Sequence, residues 1–172
     1  MKRALVLGSA HSVWRDLARV EAVTGPWQGP VIATNDLGIV LPRLDHWATL
    51  HPEKMPDWIA ARRANGLPDT YRTWSHTAGS VDHVVKGWSN GSSGLLAVGV
   101  ALALGADEVI LCGLRMDKQR NHFRTEKGWG QALRYRAGWQ SKQGLMRGRV
   151  HSMSGWTRDL LGAPPWLSTL AL

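Results

Sequence analysis

Four short polar segments carry residues able to hold an anion or move a proton, and each borders an apolar run. Asn90-Gly91-Ser92-Ser93-Gly94 precedes the run Leu95 to Leu104. Gly8-Ser9-Ala10-His11-Ser12 follows Arg3 to Leu7, Asn35-Asp36 follows Val31 to Thr34, and Gly113 to Asp117 follow Val109 to Cys112. A turn of small hydroxyl residues at a helix N-terminus leaves backbone N–H groups without intrahelical partners. Those groups and the helix dipole attract anions, phosphate above all. Ser92, Ser93 and Gly94 are therefore expected to form a phosphate-sized polar socket. Gly8, Ser9 and Ser12 offer a second set of N–H and hydroxyl groups, with Gly113 at a third strand end. Asn35 and Asp36 end a strand where open α/β sheets read a ribose or base. The plainer readings stay open at this point: Ser12 as a helix cap and Asn35-Asp36 as a turn.

The first loop is no dinucleotide fingerprint, because G-x-G-x-x-G is absent, and it lacks the Gly-Lys-Ser/Thr end of a phosphate loop. The seven histidines do not fall at metal-ligand spacings. A histidine is better suited here to general acid–base work, since its pKa lies near neutrality. His151, beside Ser152 and Ser154 at the end of a short apolar segment, is the candidate. His11, His51 and His122 are its rivals. Of the ten tryptophans, Trp14, Trp47, Trp58 and Trp88 read as structural. Trp88 and Trp129 are also placed to stack on a base or sugar.

These residues need elements to position them. Arg3–Leu7, Val31–Thr34, His46–Leu50, Thr70–Trp74 and Val109–Gly113 read as strands, with Val81–Val85 and Arg149–His151 as shorter ones. Val13–Val23, Glu53–Ala64, Leu95–Leu104, Lys127–Gly144 and Ser154–Leu161 read as helices, with Ser12 capping the first. Leu95–Leu104 has almost no polar face, so it must be covered on both sides. Alternating strands and helices predict an α/β fold with a doubly wound, mainly parallel sheet in a single domain, residues 1–172, ending in a loose tail over 162–172. Ligands of such sheets sit at the carboxyl ends of the strands, where strand order reverses. Gly8 to Ser12, Asn35-Asp36, His51 and Gly113 to Asp117 lie at such ends, and the Ser92-Ser93-Gly94 turn, at a helix N-terminus, can face the same edge.

Composition bounds the partners. Hydrophobic residues make up 44% and charged residues 20%, ordinary values for a globular domain of 172 residues. A single cysteine, Cys112, excludes an intramolecular disulfide framework and reads as a buried thiol. No apolar run reaches the length of a membrane span, and Met1 to Gly8 is too short for a signal peptide. A cytoplasmic location is the expectation. The net charge of +8 favours an anionic partner. Lys118, Arg120, Arg124, Lys127, Arg134, Arg136, Lys142, Arg147 and Arg149 concentrate that charge in one segment. It suits phosphate or a polynucleotide, or is a solvated helical face.

In order along the chain, these motifs resemble the sialyltransferases of glycosyltransferase family 42 and the Rossmann-like domains of unknown function related to them in bacteria and phages. The family's Gly-Asn-Gly-Pro-Ser loop has Gly8-Ser9-Ala10-His11-Ser12 as its counterpart here. Its nucleotide-contacting Asn matches Asn35. Its Ser-Ser-Gly turn, alanine-rich helix and following strand are similar to Ser92-Ser93-Gly94, Ala101-Leu102-Ala103-Leu104-Gly105 and Asp107-Glu108-Val109, with Gly113-Leu114 at the exit. Its His-Ser pair before the next helix matches His151-Ser152. The chain departs from the pattern at Ser9 and at Ala10-His11. Of the tyrosines that hold the leaving phosphate, only Tyr135 has a plausible place.

The resemblance implies a Rossmann-like domain whose donor substrate is a nucleotide-sugar, a CMP-sugar by analogy, with no metal or other cofactor required. His151 would serve as base, and arginines between Arg115 and Arg149 would offset charge on the departing phosphate. Two other classes remain: a nucleic-acid-modifying or nucleic-acid-binding protein using the 118–149 segment, and a non-catalytic nucleotide-binding module. A homo-oligomer is compatible with either.

Overall fold

A computed structural model describes residues 1–117, 122–125 and 130–170. Among these residues, seven strands form one sheet, all parallel: β1 (Arg3–Leu7), β2 (Val31–Thr34), β3 (His46–Ala48), β4 (Arg72–Ser75), β5 (His83–Val84), β6 (Glu108–Cys112) and β7 (Val150–Ser152). Their order is β5-β4-β3-β2-β1-β6-β7. The chain winds outward from β1 to β5 and then crosses back to pair β6 with β1, in register from Arg3↔Glu108 to Leu7↔Cys112. Strand order reverses between β1 and β6.

Among the described residues, five α-helices cover the sheet: α1 (Val13–Thr24), α2 (Met55–Ala64), α3 (Ser93–Ala103), α4 (Ala132–Met146) and α5 (Gly155–Leu161). Side chains alternate across the sheet with period two, giving two cores. Leu5, Leu7, Val31, Ala33 and Ile110 face α1, α2 and the single-turn helix Asn35–Ile39. Ala4, Val6, Ile32, Val109 and Leu111 face α3, α4 and α5. The doubly wound, Rossmann-like expectation is met. Central strands are buried on both faces, so β1 and β6 read as continuous apolar runs.

α3 is apolar all round because both of its sides are covered. Its inner side lies across β3, β2, β1 and β6. Its outer side meets Trp88, whose ring is close enough to Gly99 that a Cβ there would lie 2.4 Å from it. Trp139 of α4, fully buried, joins the same core.

Three local expectations differ from what is observed. Ser12 stands at the cap position of α1 without making a side-chain cap; its Oγ donates instead to the buried carboxylate of Asp16 at 3.0 Å. The helix expected over Lys127–Gly144 runs from Ala132 to Met146, with Lys127 and Trp129 outside the described residues. Beyond Gly162, where a loose tail was expected, Pro165–Leu170 forms a 3-10 helix that packs Leu167 into the α1-side core. No helix among the described residues is long and apolar enough to cross a membrane.

Candidate functional site

A cavity of about 430 Å³ opens at the carboxyl edge of the sheet, over the reversal between β1 and β6. Its walls come from five places far apart in sequence: the β1 exit (Ser9, Ala10), the β2 end (Thr34, Asn35, Asp36), the β3 exit (Leu50, His51), the start of α3 (Ser92, Ser93, Gly94) and the β6 exit (Gly113, Leu114, Arg115, Met116). His122, Thr125 and Tyr135 complete it.

The α3 wall is built for an anion. Ser92 is extended and its Oγ accepts the Leu95 N–H at 3.4 Å and the Trp139 Nε1–H at 3.3 Å. Its carbonyl accepts the Leu96 N–H. Ser93 and Gly94 stand in the first turn of the helix, whose positive end faces the cavity. A Cβ at position 94 would come within 2.4 Å of Leu114 Cδ2, so any larger residue there must push that side chain aside. That contact brings the β6 exit directly against the helix start.

Asn35 is held from two sides in a left-handed conformation, φ +50°. Its backbone carbonyl accepts Trp47 Nε1–H at 2.6 Å and its side-chain Oδ1 accepts Thr49 Oγ1–H at 2.9 Å. With Oδ1 engaged, the Asn35 amide NH₂, which makes no hydrogen bond among the described residues, can donate to a ligand in the cavity. Met116, on the opposite wall, has φ +53°. Left-handed non-glycine residues carry strain that collects at ligand sites.

The β3 exit is locked between these walls. Leu50 N–H donates to Ser93 Oγ at 3.0 Å, and His51 N–H donates to Thr49 Oγ1 at 2.9 Å. His51 Nδ1 lies 3.3 Å from Glu53 Oε1. On the far side, Ser9 Oγ donates to Asp36 Oδ1 at 3.1 Å, and His122 Nε2 lies 2.8 Å from Asp36 Oδ2. His122 Nδ1 accepts the Arg124 N–H, so both ring nitrogens are engaged and Nε2 carries the proton. Arg115 Nε donates to Asp117 Oδ2 at 2.8 Å at the cavity wall.

Of the residues read from sequence as nucleotide-binding, Ser9, Asn35, Asp36, Ser92, Ser93, Gly94 and Gly113 line one cavity. Gly8 and Ser12 lie behind it. A Cβ at Gly8 would be 2.5 Å from the Gly113 carbonyl, so Gly8 lets β1 and β6 exit side by side. Ser12 and Ser154 both donate to Asp16 Oδ2, which also accepts the Gly113 N–H, fixing the β6 exit from beneath. His151 is paired in register with Ile110 on edge strand β7 and does not line the cavity. Of the basic segment, Lys118, Arg120 and Lys127 fall outside the described residues. Tyr135 on α4, the residue the resemblance sets against the family's phosphate-holding tyrosines, lines the cavity. Thr49 at the β3 exit was not expected; it stands behind the wall, holding Asn35 and the His51 N–H, and nothing local in the sequence marks it. No family model matches this chain, and comparison with curated proteins and with solved structures gives no match.

Proposed function

We propose that this chain binds a nucleotide or nucleotide-sugar in the strand-edge cavity and acts as a glycosyltransferase-like enzyme. The observation that carries the reading is the meeting, at the β1/β6 reversal, of the α3 N-terminus with the Asn35 amide. The first suits a phosphate. The second suits a ribose or base, in the position that open α/β sheets use for this purpose. A volume of about 430 Å³ is within the range of small-ligand sites.

In this reading the phosphate that leaves with the nucleotide faces Ser93 and Gly94. Arg115, paired with Asp117, and Tyr135 line the same cavity, so a guanidinium and a phenol lie on the wall where charge develops. The sugar is transferred to an acceptor hydroxyl, which needs a base on the cavity wall.

Polynucleotide binding through the basic segment is less well supported. Arg136 Nε donates to the Met116 carbonyl and its guanidinium lies over Trp156 at 4.8 Å. Arg149 donates to the Ala106 carbonyl, and Lys142 lies over Trp88. These cations have intramolecular roles.

The test is calorimetric titration and thermal shift with CMP, UMP, AMP and GMP and with CMP-N-acetylneuraminate, UDP-glucose and GDP-mannose. One of them binds at 1:1 and raises the melting temperature; a ligand at 100 times its Kd stabilises by about 2.7 kcal/mol. Absence of binding by every compound overturns the reading. Steeply salt-dependent binding of a DNA duplex in its place would favour the polynucleotide alternative.

A further inference from the structure

We infer that His51, oriented by Glu53, is the general base that deprotonates the acceptor hydroxyl; this rests on the transferase reading above. Two histidines line the cavity, and their surroundings separate them. His122 has both ring nitrogens engaged, Nε2 by Asp36 and Nδ1 by the Arg124 N–H, so it has no lone pair to offer. Its contact tethers the segment after β6 to the end of β2. His51 is bonded on one side only. Its Nδ1 faces the Glu53 carboxylate, and Nε2 has no partner among the described residues. A carboxylate on Nδ1 selects the tautomer in which Nε2 carries the lone pair.

The backbone under His51 is fixed on both flanks of the ligand site. Thr49 ties it to Asn35, and Leu50 ties it to Ser93 at the α3 N-terminus. His51 lines the same cavity as Asn35, Ser93 and Gly94. Its side chain is 52% exposed, so an acceptor reaches it from solvent.

The step balances without a further reactant. Nε2 takes the hydroxyl proton, and the acceptor oxygen forms a bond to the anomeric carbon. The bond from that carbon to the phosphate oxygen breaks, and its electron pair leaves on the nucleotide, whose charge faces the first turn of α3. The proton is released from Nε2 to solvent afterwards.

The experiment uses the full chain with CMP-N-acetylneuraminate, UDP-glucose and GDP-mannose as donors, and water or lactose as acceptor. It reads donor binding by calorimetry and nucleotide release over a pH series. His51→Gln is expected to bind the donor within about twofold of the unaltered chain. Its kcat is expected to fall on the order of 10²- to 10⁴-fold, the usual contribution of a positioned base. Glu53→Gln is expected to lower kcat less than His51→Gln while leaving donor affinity unchanged, because the ring keeps a neutral partner at Nδ1 but loses the carboxylate that fixes its tautomer. His51→Gln with unchanged kcat overturns the inference and leaves the transferase reading standing. Donor binding with no nucleotide release by the unaltered chain overturns the inference and reduces the reading to a non-catalytic nucleotide-binding module. Failure to bind any donor overturns the transferase reading, and the inference with it.

Discussion

The Leu50 N–H donates to Ser93 Oγ at 3.0 Å, joining the exit of β3 to the first turn of α3 across 43 residues of sequence. One hydroxyl thereby sets how the β3 exit meets the anion-binding end of the helix. Ser93→Ala leaves a partly buried N–H without its acceptor, for a stability loss of about 1–2 kcal/mol. Nucleotide affinity is expected to fall as well. Urea unfolding and calorimetry on the same variant measure the two effects.

Gly94 lies against Leu114. Gly94→Val is expected to push Leu114 and the β6 exit away from α3 and to abolish nucleotide binding. Leu114→Ala combined with Gly94→Ala makes room for the new methyl group, and partial recovery of binding relative to Gly94→Ala alone is the outcome that ties the defect to this contact. Calorimetric titration of the three variants reads it.

Arg62 is a buried cation whose guanidinium donates to the carbonyls of Gly38, Leu41 and Pro68, with no salt bridge to a carboxylate among the described residues. It closes the turn that follows β2 onto α2. Arg62→Met leaves those carbonyls without that donor and is expected to cost about 2–4 kcal/mol, since each buried unsatisfied group costs about 1–3 kcal/mol. Arg62→Lys recovers only part of this, as an ammonium cannot span the three acceptors. The midpoint of urea unfolding checks both.

His46 supplies a pH dependence. Burial lowers its pKa below the usual histidine value, against the smaller opposing effect of Asp45. Its Nδ1 accepts Trp74 Nε1–H at 3.1 Å, a bond that needs the unprotonated nitrogen. The folded pKa is depressed, so the unfolded chain takes up the proton first. The contribution is complete above the unfolded value of about 6.5 and is lost as pH falls through the lower folded value. Melting temperature is expected to decline from pH 7 toward pH 5, and His46→Gln flattens that decline. An unchanged slope in the variant would count against His46 as the source.

Cys112 ends β6, buried between the sheet and α1, and desolvation pushes its thiol well above the ordinary range. It is expected to be unreactive toward Ellman's reagent in the folded chain and to react fully in 6 M guanidinium. Its labelling rate then reports opening of β6.

Much of this molecule is written in local pattern. β1, β2 and β6 are short apolar runs closed by polar turns, and α3 is an apolar helix that no surface position could accommodate. Such runs specify a buried parallel sheet because strands covered on both faces cannot alternate polar with apolar. The residues at their ends could be named for the same reason: Ser9, Asn35, Ser93 and Gly113 each interrupt a hydrophobic run. Where the elements were short, pattern was weaker. β5 has two residues, and the last helical turn depends on Leu167 finding a place in the core.

What the sequence by itself determined is the class of fold and the set of polar strand ends. Which of those ends face one another was decided only by the tertiary structure, through the return of the chain from β5 to β6. That crossing sets Gly113 beside Gly8 and the start of α3 beside the β3 exit. It leaves His151 in the register of an edge strand while His51 reaches the cavity. Local sequence encodes periodicity and turns, which act over a few residues. A site assembled from residues 9, 35, 51, 93 and 135 depends on packing between elements more than a hundred residues apart, and no local spacing records it.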